Sequence, residues 1–228
     1  DLGTFSYAVH VFRHRLDRRV VVLAGDAQHF RPDGQCDGAN GITDPTGGFV
    51  TRFERSTTSI HGHPISSRGA VLRDPVDLPP SDWECVLDKG AHVLGVHIPA
   101  LGPMDHAACG ESMRAAVAFF AEHIPEWRPV ACACTSWLLD AQLADHLPPT
   151  ANIVRFLGEF HLLPHPGASD AQTLERTFGG PIADLDRAPQ ESTLQRAIVA
   201  HMRSGGRWRD AGGFILLDDL AWGTRRYR

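Results

Sequence analysis

The sequence predicts an α+β fold, and three observations lead there. The first half alternates short β-branched and aromatic runs with turns built from Pro, Asp and Gly. The centre twice gives an apolar strand, a loop and then a helix. The 228 residues, 43% hydrophobic and 21% charged, suffice for one continuous core and lie far from disordered or fibrous compositions. A single domain over residues 1–228 is expected.

Element by element, residues 7–13 and 19–24 are strand-like runs separated by the charged stretch 14–18, the pattern of a hairpin. Arg31-Pro32-Asp33-Gly34 and Cys36-Asp37-Gly38 reverse the chain, and residues 44–48 repeat the turn signal before a strand at 49–55. The N-terminal half therefore reads as an antiparallel meander, closed by a proline-rich stretch at 73–82 that is expected to lack regular structure. Residues 93–98 form a short apolar strand. Asp105 can cap the helix that follows, where Cys109, Met113, Ala116, Val117, Phe120 and Ile124 recur at helical spacing until Pro125. A strand at 130–134, a helix from Ser136 to about His146, a long strand at 153–163, helices at 169–178 and 191–204, and a closing strand at 213–217 complete the reading.

A net charge of −5 gives no domain-wide attraction to nucleic acid or to an anionic membrane. No apolar run approaches the roughly 20 residues that span a bilayer, and the N-terminus lacks a basic-then-apolar secretory pattern. A cytoplasmic protein is expected. The five cysteines form no CxxC pair, so neither a disulfide framework nor a zinc knuckle is indicated. Thirteen histidines invite a search for metal ligands, yet neither His61 with His63 nor His161 with His165 belongs to a set with zinc spacing, and no metal is expected. Arg225, Arg226 and Arg228 read as a solvated tail. Asp1 opens the chain and the methionines are internal, at 104, 113 and 202, which reads as a fragment or processed product.

Several segments together resemble one family. Val93-Leu94-Gly95-Val96-His97-Ile98-Pro99, Cys134-Thr135-Ser136-Trp137-Leu138-Leu139-Asp140 and Asn152-Ile153-Val154-Arg155-Phe156 are similar to an actinobacterial-type group of acyltransferase-domain proteins. So are Ser192-Thr193-Leu194-Gln195-Arg196-Ala197 and the turn at 31–38. The shared part of that group is a GNAT-like C-terminal domain, and its members carry an additional, mainly helical N-terminal region. The resemblance implies a GNAT-like mixed β-sheet flanked by helices, whose central strands part to admit acetyl-CoA or another acyl-CoA as co-substrate. It implies that strands 93–98 and 130–134 lie adjacent and parallel, and that Leu101, Gly102, Met104 and Asp105 lead into the helix beneath the pyrophosphate. The loop departs from the usual glycine-rich pattern: Gly102 stands alone, and Pro103 removes an amide donor. An absent N-terminal region would associate with this chain and leave an apolar patch beside residues 5–12.

Direct attack of an amine on a thioester needs a base for the ammonium, a donor for the carbonyl oxygen and an acid for the leaving thiolate. His97 suits the base, since imidazole titrates near neutral pH. Ser136 suits the acid, although Ser at a helix start also serves as a cap. Trp137 and Asp140 could shape the pocket of a small-molecule amine acceptor. Two alternatives stand beside N-acyl transfer: a non-catalytic module that binds an acyl donor or a partner protein, and a thiol enzyme using Cys134. Against the last, Cys132 and Cys134 also fit the role of small buried hydrophobes on one strand face.

Overall fold

The computed structural model of the protein describes residues 1–99 and 104–227. Strands β1 (Leu2–Thr4), β2 (Val9–His14) and β3 (Val20–Ala24) open the chain. β2 and β3 form the expected antiparallel hairpin, with Val11 opposite Val22. The turn-rich stretch supplies β4 (His29–Phe30), β5 (Phe49–Val50), β6 (Phe53–Arg55), β7 (Ile60–Gly62), β8 (Pro64–Ile65) and β9 (Val76–Leu78). β9 corrects the expectation of irregular chain at 73–82. Pro75 and Pro79 flank it rather than interrupt it, so its three residues are free to pair with β7. β10 (Trp83–Asp88) returns to pair with β2. Every pairing among β2 to β10 is antiparallel, but the strands are shared among three sheets instead of following one another across one.

The predicted strand and helix units follow. β11 (His92–Gly95) precedes α1 (His106–His123), whose N-cap Asp105 accepts the Ala108 N–H at 2.8 Å. β12 (Ala131–Ser136) then lies parallel beside β11, with Val93 opposite Ala131. After β12 the expected single helix is broken into a 3-10 turn (Trp137–Leu139) and the one-turn α2 (Leu143–His146). The expected long strand at 153–163 is instead α3 (Asn152–Leu157) followed by β13 (His161–Leu163). Ile153, Val154 and Phe156 are strand-favouring types, but Val154 and Leu157, three residues apart, share the helix face that packs on the core, and burial outweighs propensity. α4 (Ala171–Phe178), α5 (Thr193–Arg203) and β14 (Ala211–Leu216) complete the chain, with Ser192 and Gln195 forming a capping box on α5.

The strands form a mixed five-stranded sheet in the order β1-β11-β12-β14-β13 and a four-stranded sheet in the order β10-β2-β3-β8. Smaller sheets join β4 to β5 and β6 to β7 to β9. Side-chain alternation stacks these layers. Val11, Val22, Val93, Ala131 and Phe214 fill the space between the two large sheets. Phe12 and Leu23, one residue along on β2 and β3, pack the other way against Ile60, Leu78 and Trp83. On its far face the five-stranded sheet sends Leu94, Cys132, Cys134 and Ile215 into the helical layer beside Met113, Phe156 and Ile198. Phe5 and Phe12 are therefore buried, and the apolar patch expected beside residues 5–12 is absent there. Of the exposed large apolar side chains among the described residues, Leu16 in the hairpin turn is the most exposed.

Candidate active site

β11 and β12 keep company only briefly. Their register runs from Val93 opposite Ala131 to Gly95 opposite Ala133, followed by one further bond from the Val96 N–H to the Ala133 carbonyl at 2.8 Å. Beyond it the chains part, while β12 continues along β14 as far as Ser136 opposite Ala211. A cleft of about 800 Å³ opens at the parting. Val96, His97, Ile98 and Pro99 form one wall, with Met104 and Cys109 at the start of α1; residues 134–138 form the other. Ile153, α4 and the start of α5 close the far side. The described walls contain no aspartate or glutamate.

His97 lies two residues past the end of β11, in extended chain at the cleft mouth. Its side chain is 77% exposed, and Nε2 stands 3.0 Å from Asp1 Oδ2. An ionised carboxylate only accepts, so Nε2 carries a hydrogen, and in the neutral ring the lone pair is on Nδ1. His97 follows Gly95 by two positions as Thr135 follows Ala133, and both line the cleft. Ser136 lines the opposite wall and is buried, with Oγ accepting the Leu138 N–H at 3.2 Å to cap the 3-10 turn. Trp137 and Met104 line the cleft. Cys134 also lines it, but burial pushes its thiol up to about 12, so at neutral pH the thiolate amounts to roughly one part in 10⁵.

Two expectations are redirected. Asp140 is not on the cleft wall; it is wholly buried and accepts the backbone N–H groups of Gln142 and Arg209, each at 3.0 Å. Burial raises its carboxyl above the ordinary range. It anchors the turn after β12 to the chain entering β14, and does not shape a pocket. Asp105 spends its carboxylate on the α1 cap and is likewise outside the cleft lining. Leu101 and Gly102 lie outside the described residues.

Sequence reasoning missed a cluster at Thr135, whose side chain alternates with those of Cys134 and Ser136 and leaves β12 on the opposite face from them. Tyr7 Oη is 2.7 Å from Thr135 Oγ1 and 3.5 Å from His165 Nδ1. Burial pushes the Tyr7 hydroxyl up to about 12 and His165 below its ordinary value, so at neutral pH both are uncharged. The ring covers Gly212 on β14, where a Cβ would overlap it. These partners are 128 and 158 residues apart, and no local pattern connects them.

The comparisons with known proteins agree with this geometry. The model of the GNAT-like C-terminal domain family matches residues 2–215. The chain belongs to this family. Among solved structures it is similar to an acyltransferase in complex with decanoyl-CoA, at 30% identity and TM-score 0.51, over 72% of this chain and 45% of that one. It is also similar to an acyltransferase in complex with decanoyl-CoA and teicoplanin, at 34% identity and TM-score 0.51, over 56% of this chain and 42% of that one. The chain thus spans less than half the length of these structures. No curated protein matches it.

In this GNAT-like domain the helix that borders the cleft is held by a buried polar knot. His106, the first residue of α1, has Nε2 3.1 Å from Glu159 Oε1, and both side chains are about 5% exposed or less. Arg155 donates to His106 Nδ1 at 3.0 Å, which leaves the His106 hydrogen on Nε2, facing the carboxylate. Trp222 Nε1 donates to the His106 carbonyl at 2.7 Å, and the Gly223 N–H to Glu159 Oε2 at 2.9 Å. Gly110, one turn along α1, leaves the space that the Trp222 indole occupies. Among the described residues no group of three or more His, Cys, Asp or Glu side chains could hold a metal ion, and no helix is long and apolar enough to cross a membrane.

Proposed function

We propose that this chain is the acyl-CoA-binding part of an acyltransferase that moves an acyl group from the thioester to the amine of a small-molecule acceptor. The observation that carries this reading is the parting of β11 from β12. It opens an apolar cleft within a sheet and leaves one edge of β12 unpaired beside it. On that edge the Thr135 amide points the same way as the Ala133 carbonyl, so it is free to bond a thioester or pantetheine group. Walls without carboxylates suit an anionic donor. The solved relatives that hold decanoyl-CoA support the same donor class, and the one that also holds teicoplanin supports an acceptor larger than a free amino acid.

In this reaction His97 Nδ1 takes the ammonium proton, since Nε2 is committed to Asp1. The amine nitrogen attacks the thioester carbon, its bond to carbon forms as the carbon–sulfur bond breaks, and coenzyme A leaves as a thiolate. The Ser136 hydroxyl, whose oxygen already accepts from Leu138, passes its hydrogen to that sulfur and takes in exchange the proton that the new amide nitrogen sheds, so the serine ends neutral and coenzyme A ends as the thiol. Trp137 flanks the acceptor. The raised thiol of Cys134 opposes an acyl-thiol intermediate. Incubation with acetyl-CoA or decanoyl-CoA and a panel of amines, followed by mass spectrometry, tests the scheme. Acylated amine with an unmodified protein is the expected result. Acyl groups on Cys134 would establish the thiol route instead, and binding without turnover would establish a non-catalytic module.

A further inference from the structure

We propose that Arg176 binds the phosphate end of the acyl donor, an inference that rests on the acyltransferase reading above. The described walls of the cleft contain one lysine or arginine, and it is Arg176 on α4. The segment Ala100-Leu101-Gly102-Pro103 leading to α1 contributes no basic side chain, and Pro103 has no amide hydrogen to offer. The charge of a diphosphate and a phosphomonoester must then be met elsewhere.

The guanidinium of Arg176 is available for that role, in contrast to its neighbours. Arg187 pairs with Asp184, Arg203 with Asp186 and Arg207 with Asp170, while Arg196 donates to the carbonyls of Gln190 and Glu191. Among the described residues Arg176 makes no ion pair and no hydrogen bond, and Glu175 beside it projects from a different face of the helix. The helix that carries it is anchored from the other face, where Leu174 is buried in the core. Gln172, one turn earlier, lines the cleft on the same face and adds an uncharged donor. Ser192 and Gln195 across from them spend their side chains on the α5 capping box. An unpaired guanidinium offers five donors in a planar fork that matches two phosphate oxygens, so it is a directional anion site and not only a positive charge.

Calorimetric titration of the wild type, Arg176→Gln and Arg176→Lys with coenzyme A, dephospho-coenzyme A and pantetheine tests the assignment. Arg176→Gln should weaken coenzyme A by about tenfold or more, Arg176→Lys by less, and pantetheine binding should be the same in all three. A loss seen with coenzyme A but not with its dephospho form places the guanidinium on the 3′-phosphate; an equal loss with both places it on the diphosphate. Equal affinity of wild type and Arg176→Gln for coenzyme A overturns the inference alone, as does an equal loss for pantetheine, which would report a general disturbance of the cleft. Failure of the wild type to bind coenzyme A overturns the acyltransferase reading and this inference with it.

Discussion

The two edges of β12 have opposite fates. Along β14 every residue from Ala131 to Ser136 has a registered partner, and the backing strand is buried from end to end. Along β11 the register stops at Ala133, and residues 134–136 border open space. Unpaired strand edges inside a protein leave amides and carbonyls without partners, so they are normally covered. Here the open edge is tolerable because the closed edge fixes the strand, and the proposed function assigns its free Thr135 amide to the acyl donor. The difference separates rigidity from chemistry within one strand: changes on the β11 side should alter turnover with little effect on folding, and changes on the β14 side the reverse.

The sharpest test is His97→Gln at the open edge. Loss of a general base typically costs about 10² to 10⁴ in rate. Turnover should fall by that factor, and thermal midpoint should not move, because the side chain is largely in solvent. Equal turnover of the two forms would return His97 to a surface role. On the closed edge Gly212→Ala should do the opposite. Its methyl group meets the Tyr7 ring, and overpacking of this kind costs about 1–3 kcal/mol, readable as a shift in denaturant midpoint. An unshifted midpoint would mean that Tyr7 is loosely held.

Acid sensitivity offers a finer comparison, because the sheet beyond the closed edge holds two buried groups that push in opposite directions. Burial lowers His161 on β13 to about 4, so between about pH 4 and 6.5 the unfolded chain binds more protons and stability falls as pH drops. Asp210, just before β14, is raised to about 6 by burial and then by Asp140 and Asp170. Between about pH 4 and 6 the folded chain holds its proton more tightly, and stability falls as pH rises. Each contributes at most about 1.4 kcal/mol per pH unit. His161→Phe should therefore make stability decline with rising pH in that window relative to wild type, and Asp210→Asn should make it climb more steeply. Three parallel curves of unfolding midpoint against pH would refute both assignments. The smallest effect belongs to Tyr7→Phe, which removes the hydroxyl joining the sheets at Thr135. A neutral bond is worth about 0.5–1.5 kcal/mol, so a small loss of stability and a turnover change of a few fold are expected; a loss as large as that of His97→Gln would move the chemistry to the Tyr7 hydroxyl.

Legibility in the sequence followed the range of the determining contacts. α1 was readable from Asp105, its apolar spacing and Pro125, all local, and the parallel pairing of β11 with β12 is what the family resemblance implied. α3 was not, because Ile153, Val154 and Phe156 carry strand preferences that only their burial against the helical layer reverses. The same division holds at the site. Both cleft walls were found, since each is a contiguous segment at the end of a predicted strand. The assignment of Asp140 to a pocket failed because its partner, Arg209, is 69 residues away. Tyr7 reaches Thr135 and His165 across still greater separations.

The knot at the start of α1 also has a history in time. The His106 carbonyl is held by the indole of Trp222, 116 residues later in the chain. At synthesis rates of about 5–20 residues per second, a nascent helix waits on the order of ten seconds for that clasp. During the interval Gly110 faces an empty slot and Glu159 lacks its Gly223 donor, so the helix beside the cleft is completed only when β14 and residues 222 and 223 have left the ribosome. The start of α1, beside the cleft, is thus among the last parts of the domain to gain all its contacts.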